Sequence, residues 1–96
     1  MFMQIIHFES TRTEAEVLAT AHDRAPQFRA IPGLVQKHYI KLDSNHFGGV
    51  YIWDSKESML AYRESELAAT IPAAYGVQGA PSVISGELLF SLREDR

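Results

Sequence analysis

The 96-residue sequence contains no cysteine. That excludes a disulfide framework, a thiolate nucleophile and any thiolate-held zinc or iron–sulfur site. Positive charge is also scarce, because nine Lys and Arg stand against twelve Asp and Glu, for a formal charge of −3. The basic residues are scattered, so the footprint of a nucleic-acid binder is missing. No apolar run approaches the roughly 20 residues of a membrane span, and no basic segment followed by a hydrophobic one opens the chain. The expectation is a soluble, cytoplasmic protein without membrane or nucleic-acid partners. No nucleophile-elbow, phosphate-loop or dinucleotide fingerprint occurs. The four histidines lack the His-x-x-x-His spacing or paired carboxylates of a metal site, so no metal is expected.

What remains is a short, apolar chain. Hydrophobic residues make up 46% of it, enough to exclude disorder, and the length suits one domain over residues 1–96 with a modest core. Its organising stretch runs from Ile31 to Trp53. Pro32-Gly33 stops a preceding helix, and two runs rich in β-branched and aromatic residues flank the polar corner Asp43-Ser44-Asn45, which predicts an antiparallel hairpin. In the first run Leu34, Gln36, His38, Ile40 and Leu42 alternate with Val35, Lys37, Tyr39 and Lys41. One face is mostly apolar and the other charged, as on a strand near a sheet edge. In the second run Val50 and Ile52 point one way and Phe47, Tyr51 and Trp53 the other, so both faces call for burial. Gly48-Gly49 within it implies a bulge, a tight bend or a close approach of backbone or ligand.

Elsewhere, Phe2 to Glu9 reads as a strand that is apolar on both sides, with Phe2, Ile6 and Phe8 opposite Met3, Ile5 and His7. Thr13 and Glu16 have capping-box spacing and start a helix whose buried stripe is Leu18, Ala21, Ala25 and Phe28, interrupted near its end by Pro26. Asp54 to Glu57 opens a second helical region, broken before Gly76, with Pro72 interrupting it. Gly76 to Pro81 reads as a loop, Ser82 to Leu92 as a last strand and Arg93 to Arg96 as a charged tail. The order βαββαβ predicts an α+β, ferredoxin-like fold, with a four-stranded antiparallel sheet carrying both helices on one face. The other face is too apolar to leave wet, which predicts a homodimer through the sheet faces.

The segment Ala25-Pro26-Gln27-Phe28-Arg29-Ala30-Ile31-Pro32-Gly33-Leu34, then Lys37 and Tyr39, then Gly48-Gly49-Val50-Tyr51-Ile52-Trp53 with Asp54 after it, resembles the YdhR-like monooxygenases. These are a branch of the antibiotic-biosynthesis-monooxygenase type of dimeric α+β barrel. The resemblance covers roughly Phe2 to Leu92. It implies two sheets facing each other between subunits, and in each subunit a pocket between helices and sheet. It also implies direct reaction of oxygen with a small electron-rich aromatic or polyketide-like molecule, with no cofactor; the protein supplies deprotonation, orientation and water exclusion. Haem-degrading members carry a tryptophan and a haem-ligating histidine where this chain has Tyr62 and Pro72, so haem breakdown is not expected. The same frame also serves non-catalytic small-ligand-binding or stress-associated proteins.

Within that frame His7 is the candidate proton acceptor, its alternative being a histidine satisfied by hydrogen bonds in the dimer core. Tyr51 and Trp53 share a strand face and would line an aromatic slot that Tyr62 closes from the helix, unless all three are plain core. Lys37 is either a solvated edge charge or the partner of a ligand's carboxylate. A pocket filled by its own side chains would show no cavity of the roughly 300 Å³ that ligand sites usually need.

Overall fold

The computed structural model describes residues 1–93, so the expected charged tail beyond Arg93 lies outside the described residues. The elements are β1 (Phe2–Ser10), α1 (Glu14–Arg29), β2 (Leu34–Asp43), β3 (His46–Trp53), α2 (Lys56–Arg63), α3 (Glu66–Tyr75) and β4 (Val77–Glu87). The strands form one antiparallel sheet in the order β2-β3-β1-β4, which is the ferredoxin-like arrangement.

Local chemistry sets the helix ends. Thr13 and Glu16 form the reciprocal capping box, satisfying free amides at the start of α1. Ser55 caps α2, and a second serine, Ser65, caps α3. The break in the second helical region therefore falls at Glu64–Ser65, whereas Pro72 sits inside α3. Gly76, at φ 59°, closes α3 in the left-handed conformation that glycine adopts without strain. The stripe of α1 keeps the expected Ala21 and Phe28, with Ala25 half-buried, but Val17 takes the place expected for Leu18. Val17, Ala21 and Phe28 are buried, Leu18 is largely exposed, and half-buried Arg24 lies on the inner face.

Strand parity decides what meets the helices. Gln4, Phe8 and Ser10 of β1 and Phe47, Gly49, Tyr51 and Trp53 of β3 are buried beneath them. On the reverse face Met3, Ile5, His7, His46, Val50 and Ile52 are only half-buried and Ile84 is 58% exposed. The core has two clusters, one around Phe8, Val17, Phe47 and Tyr75, the other around Phe28, Tyr51, Trp53, Met59 and Tyr62.

Three register shifts depart from the simple alternation, one of them at the hairpin end of β2 between Lys41 and Asp43. In β2 the register shifts between Leu34 and Gln36, so Leu34 pairs with Trp53, Gln36 with Ile52 and Lys37 with Tyr51. One extra residue, Val35, reverses the parity. Lys37, Tyr39 and Lys41 consequently share the helix side with Tyr51, while His38 and Ile40 share the reverse side with Val50. In β4 the strand starts at Val77 and ends at Glu87. Of the loop expected at Gly76 to Pro81, Val77 to Pro81 belongs to the strand, and Leu88 to Leu92 does not. Gly79, at φ 69°, and Pro81 lie where the pairing with β1 slips between His7 and Glu9. Proline is tolerated because β4 is an edge strand.

Candidate active site

Between α1, α3 and the sheet lies a cavity of about 130 Å³, lined by Ile6, Phe8, Val17, Ala21, Phe47 and Tyr51 and reached by Lys37 and Tyr75. It sits where the two core clusters meet. A volume near 150 Å³ in an apolar interior holds one benzene ring. The cavity falls short of the roughly 300 Å³ of common ligand sites, so a single ring fits and a fused-ring molecule does not without side-chain movement. A groove of about 310 Å³ lined by Phe28, Arg29, Leu34, Gln36, Lys37 and Tyr39 adjoins it. Lys37 and Tyr39 border both.

Lys37 is the least ordinary group here. Its Nζ stands 3.6 Å from the centroid of the Phe28 ring, 4.4 Å from that of Tyr39 and 4.7 Å from that of Tyr51. Among the described residues the ion pair is Lys41 with Glu14, at 2.6 Å on the cavity rim, and Lys37 has no carboxylate partner. Loss of hydration, aided by the positive charge of Arg24, pushes the Lys37 amine down to about 7. The electron-rich ring faces pull the other way, favouring the ammonium form. The amine is thus poised between its two states near neutral pH.

The glycine pair explains how the lysine fits. A Cβ on Gly49 would come within 3.1 Å of Lys37 Cε and of Tyr51 Cε1, so the missing side chain leaves room for the lysine stem. A Cβ on Gly48 would run into the Ile6 carbonyl oxygen and the His7 backbone. Gly48 therefore marks a close approach of β3 to β1, and neither glycine marks a bulge.

Of the other residues singled out in the sequence, Tyr51 lines the cavity. Trp53 is fully buried behind it, its ring parallel to Tyr51 with centroids 6.0 Å apart, and its indole N–H donates to Gln4 Oε1 at 3.2 Å. Tyr62 packs against both rings, with its hydroxyl 3.5 Å from that of Tyr51, and it borders an outer groove between α1 and α2. Burial raises both phenols above their ordinary range. The slot expected between Tyr51, Trp53 and Tyr62 is filled by their own rings.

His7 is not with them, which corrects its expected placement. Odd positions of β1 face the reverse side of the sheet, where His7 Nδ1 lies 2.9 Å from His46 Nε2. The imidazole is a hydrogen-bonded member of that face. Two contributors were missed in the sequence. Arg24 is outside the stripe expected for α1, yet its guanidinium donates to Thr70 Oγ1 and its Nε is buried. Tyr75 of α3 lines the cavity, and its hydroxyl is buried with no hydrogen-bond partner among the described residues.

The family model described as "Putative mono-oxygenase ydhR" matches residues 3–81. The chain belongs to this mono-oxygenase family. Solved structures agree on the fold. A protein of unknown function from Nitrosomonas europaea, NE2512, superposes with a TM-score of 0.79 at 19% identity, covering 94% of this chain and 90% of its own. SnoaB, a cofactor-independent oxygenase from Streptomyces nogalater, gives 0.77 at 14% identity with 97% of each chain covered. The ActVA-Orf6 monooxygenase of Streptomyces coelicolor, solved with Nanaomycin D, gives 0.65 at 18% identity with 94% and 92% covered. No curated protein matches the chain. Family membership and a cavity on the helix side of the sheet thus coincide in this chain.

Proposed function

We propose that the protein is a monooxygenase that reacts dioxygen directly with a small electron-rich aromatic molecule, without a bound cofactor. The observation that carries this reading is the cavity itself, a mostly apolar space for one ring in a chain of a mono-oxygenase family. Excluding water protects an electron-rich intermediate and strengthens each polar contact to it. Tyr51 and Lys37 contact the substrate in this reading, while Trp53 and Tyr62 hold the Tyr51 ring in place.

A one-ring hydroquinone satisfies the chemistry without an external reductant. One oxygen atom forms a new C–O bond on the ring and the other leaves as water. The substrate gives up all four electrons and becomes a hydroxyquinone.

The reading includes a homodimer and a cytoplasmic setting. The reverse face of the sheet presents Met3, Ile5, Ile40, Val50 and Ile52 half-buried and Ile84 exposed. A second copy of the same face is the cover that suits a self-complementary apolar surface. The His7–His46 pair would then be satisfied inside the interface. No helix among the described residues is long and apolar enough to cross a membrane.

The test is oxygen uptake with a panel of one-ring hydroquinones and a fused-ring anthrone. Stoichiometric uptake with the one-ring compounds, and product carrying one atom from isotopically heavy dioxygen, is the expected result. Saturable binding with no uptake across the panel would make the protein a binding protein instead.

A further inference from the structure

The groove beside the cavity is large enough to hold a ligand of its own and carries charge of one sign. Its volume of about 310 Å³ reaches the roughly 300 Å³ of common ligand sites. Phe28 and Tyr39 supply ring walls, Arg29 and Lys37 supply the charge, and among the described residues no Asp or Glu lines it. Arg29 is exposed at the end of α1, and its positive charge draws down the Tyr39 phenol that burial raises. Gln36, the other polar side chain there, already accepts the Lys37 backbone N–H at 3.0 Å. Lys37 is half-buried and borders both the groove and the cavity. Three ring centroids stand 3.6 to 4.7 Å from its Nζ, and its ion-pairing neighbour on β2 is Lys41, which takes Glu14. An amine desolvated by apolar walls and set beside another cation is a nucleophile, because its electron pair is free at neutral pH. A midpoint of about 7 agrees with that environment.

We propose that this groove captures a one-ring aldehyde that carries a carboxylate, Lys37 Nζ condensing with the carbonyl carbon and the Arg29 guanidinium receiving the acid group. This goes beyond the oxygenase reading and needs no dioxygen. The nitrogen pair of Lys37 forms a C–N bond to the carbonyl carbon, and one C–O pair passes to the oxygen, giving a carbinolamine. Both amine protons then end on that oxygen, which leaves as water while the nitrogen pair closes a C=N bond. No electron is gained or lost overall. The planar guanidinium suits a carboxylate, which it can meet with two parallel N–H donors. The Phe28 and Tyr39 faces flank the ligand ring. The groove suits this ligand better than the cavity does, since a carboxylate among mostly apolar walls would lose its hydration without a partner.

The test incubates the whole chain with 4-carboxybenzaldehyde under nitrogen at neutral pH, follows imine absorbance, then reduces with cyanoborohydride and maps the adducts by peptide mass. The absorbance is expected to saturate with aldehyde, and Lys37 should be labelled about tenfold or more faster than Lys41, Lys56 or the N-terminus. Lys37→Arg, which keeps the charge but forms no imine, should lose the saturable absorbance. Arg29→Gln should raise the half-saturating concentration by about fivefold for 4-carboxybenzaldehyde and leave it unchanged for benzaldehyde. Circular dichroism establishes that each variant is folded, and adduct mapping on the wild type with the Arg29→Gln comparison decides the matter if Lys37→Arg is not. Labelling spread evenly over the amines, absorbance that never saturates, or equal affinity for benzaldehyde and its carboxylated form would overturn the proposal. A selective Lys37 adduct in a protein that consumes no oxygen with hydroquinones would sink the oxygenase reading and keep this site. Oxygen uptake without a selective adduct would do the reverse.

Discussion

Lys37 Nζ lies 3.6 Å above the ring of Phe28, and this contact joins β2 to α1 in the groove beside the cavity. A buried amine of this kind makes stability depend on pH. Its midpoint is about 7 in the folded chain against 10.5 ordinarily, so between those values the unfolded chain binds more protons and stability rises with pH. Below about 7 the full cost of burying the charge is present. Above pH 10 the raised midpoints of Tyr51, Tyr62 and Tyr75 reverse the trend, because the unfolded chain then releases protons first. Urea unfolding at fixed protein concentration should show wild-type stability climbing from pH 7 toward 10. Lys37→Met should be flat over that window and more stable at pH 7.

Turnover should follow the same amine. A lysine that accepts the substrate proton must be neutral when substrate arrives, so kcat/KM is expected to rise through about pH 7, where the Lys37 midpoint falls. Lys37→Arg keeps the charge but cannot give up its proton in this range. It should lose this limb of the pH profile and most of the rate, roughly a hundredfold, a typical worth for one acid–base group.

Gly49→Ala probes the room left for the lysine. Its Cβ would press on Lys37 Cε and Tyr51 Cε1, each at 3.1 Å. The flexible stem can yield at a cost of about 1 kcal/mol, and the amine should move outward and recover hydration. Gly48→Ala meets backbone instead and should cost about 2–3 kcal/mol. Chemical denaturation gives both costs, and the pH profile of Gly49→Ala should shift upward.

Trp53→Phe separates core from site. The indole is fully buried and donates to Gln4, whose carbonyl would lose that hydrogen bond. The expected loss is about 2–4 kcal/mol, combining a cavity with an unpaired buried acceptor. Affinity for a one-ring ligand should change by less than about threefold, since Trp53 does not line the cavity.

The reverse face makes a different prediction. Ile52→Asp places an unpaired charge where a second copy would sit, and analytical ultracentrifugation should find a lone protomer in place of a dimer. His7→Ala, on the same face as His46, should shift the dimer equilibrium while changing turnover by less than about twofold, because distant sites act independently. A large loss of turnover with the dimer intact would restore His7 to the reaction.

The parts of the fold that were legible in the sequence are those governed by local rules. Thr13 and Glu16 announce a helix start by spacing alone. Phe47, Tyr51 and Trp53 announce one strand face by a period of two. Gly76 announces a helix end. The parts that were not legible depend on packing between elements. Arg24 reads as a solvated charge until its guanidinium is seen to cross to Thr70. Gly79 and Pro81 read as a loop because nothing local reveals that the strand they join lies at an edge. His7 sits among apolar residues in the sequence, and only the parity of β1 shows that it turns from the cavity. For the candidate site the matched stretch supplied Lys37 and Tyr51. Tyr75 is not among the residues quoted for the resemblance, and only the packing of α3 on the sheet brings it to the cavity.

The extra residue at Val35 has an evolutionary reach beyond its own two bonds. Deleting Val35 would leave Gln36 opposite Ile52 and Lys37 opposite Tyr51, so β2 would run regularly with the amine still indoors. A lineage could therefore lose that one codon with the site, the sheet, the helices and their caps left as they are, which makes the spare residue a piece of slack in the chain ahead of the site.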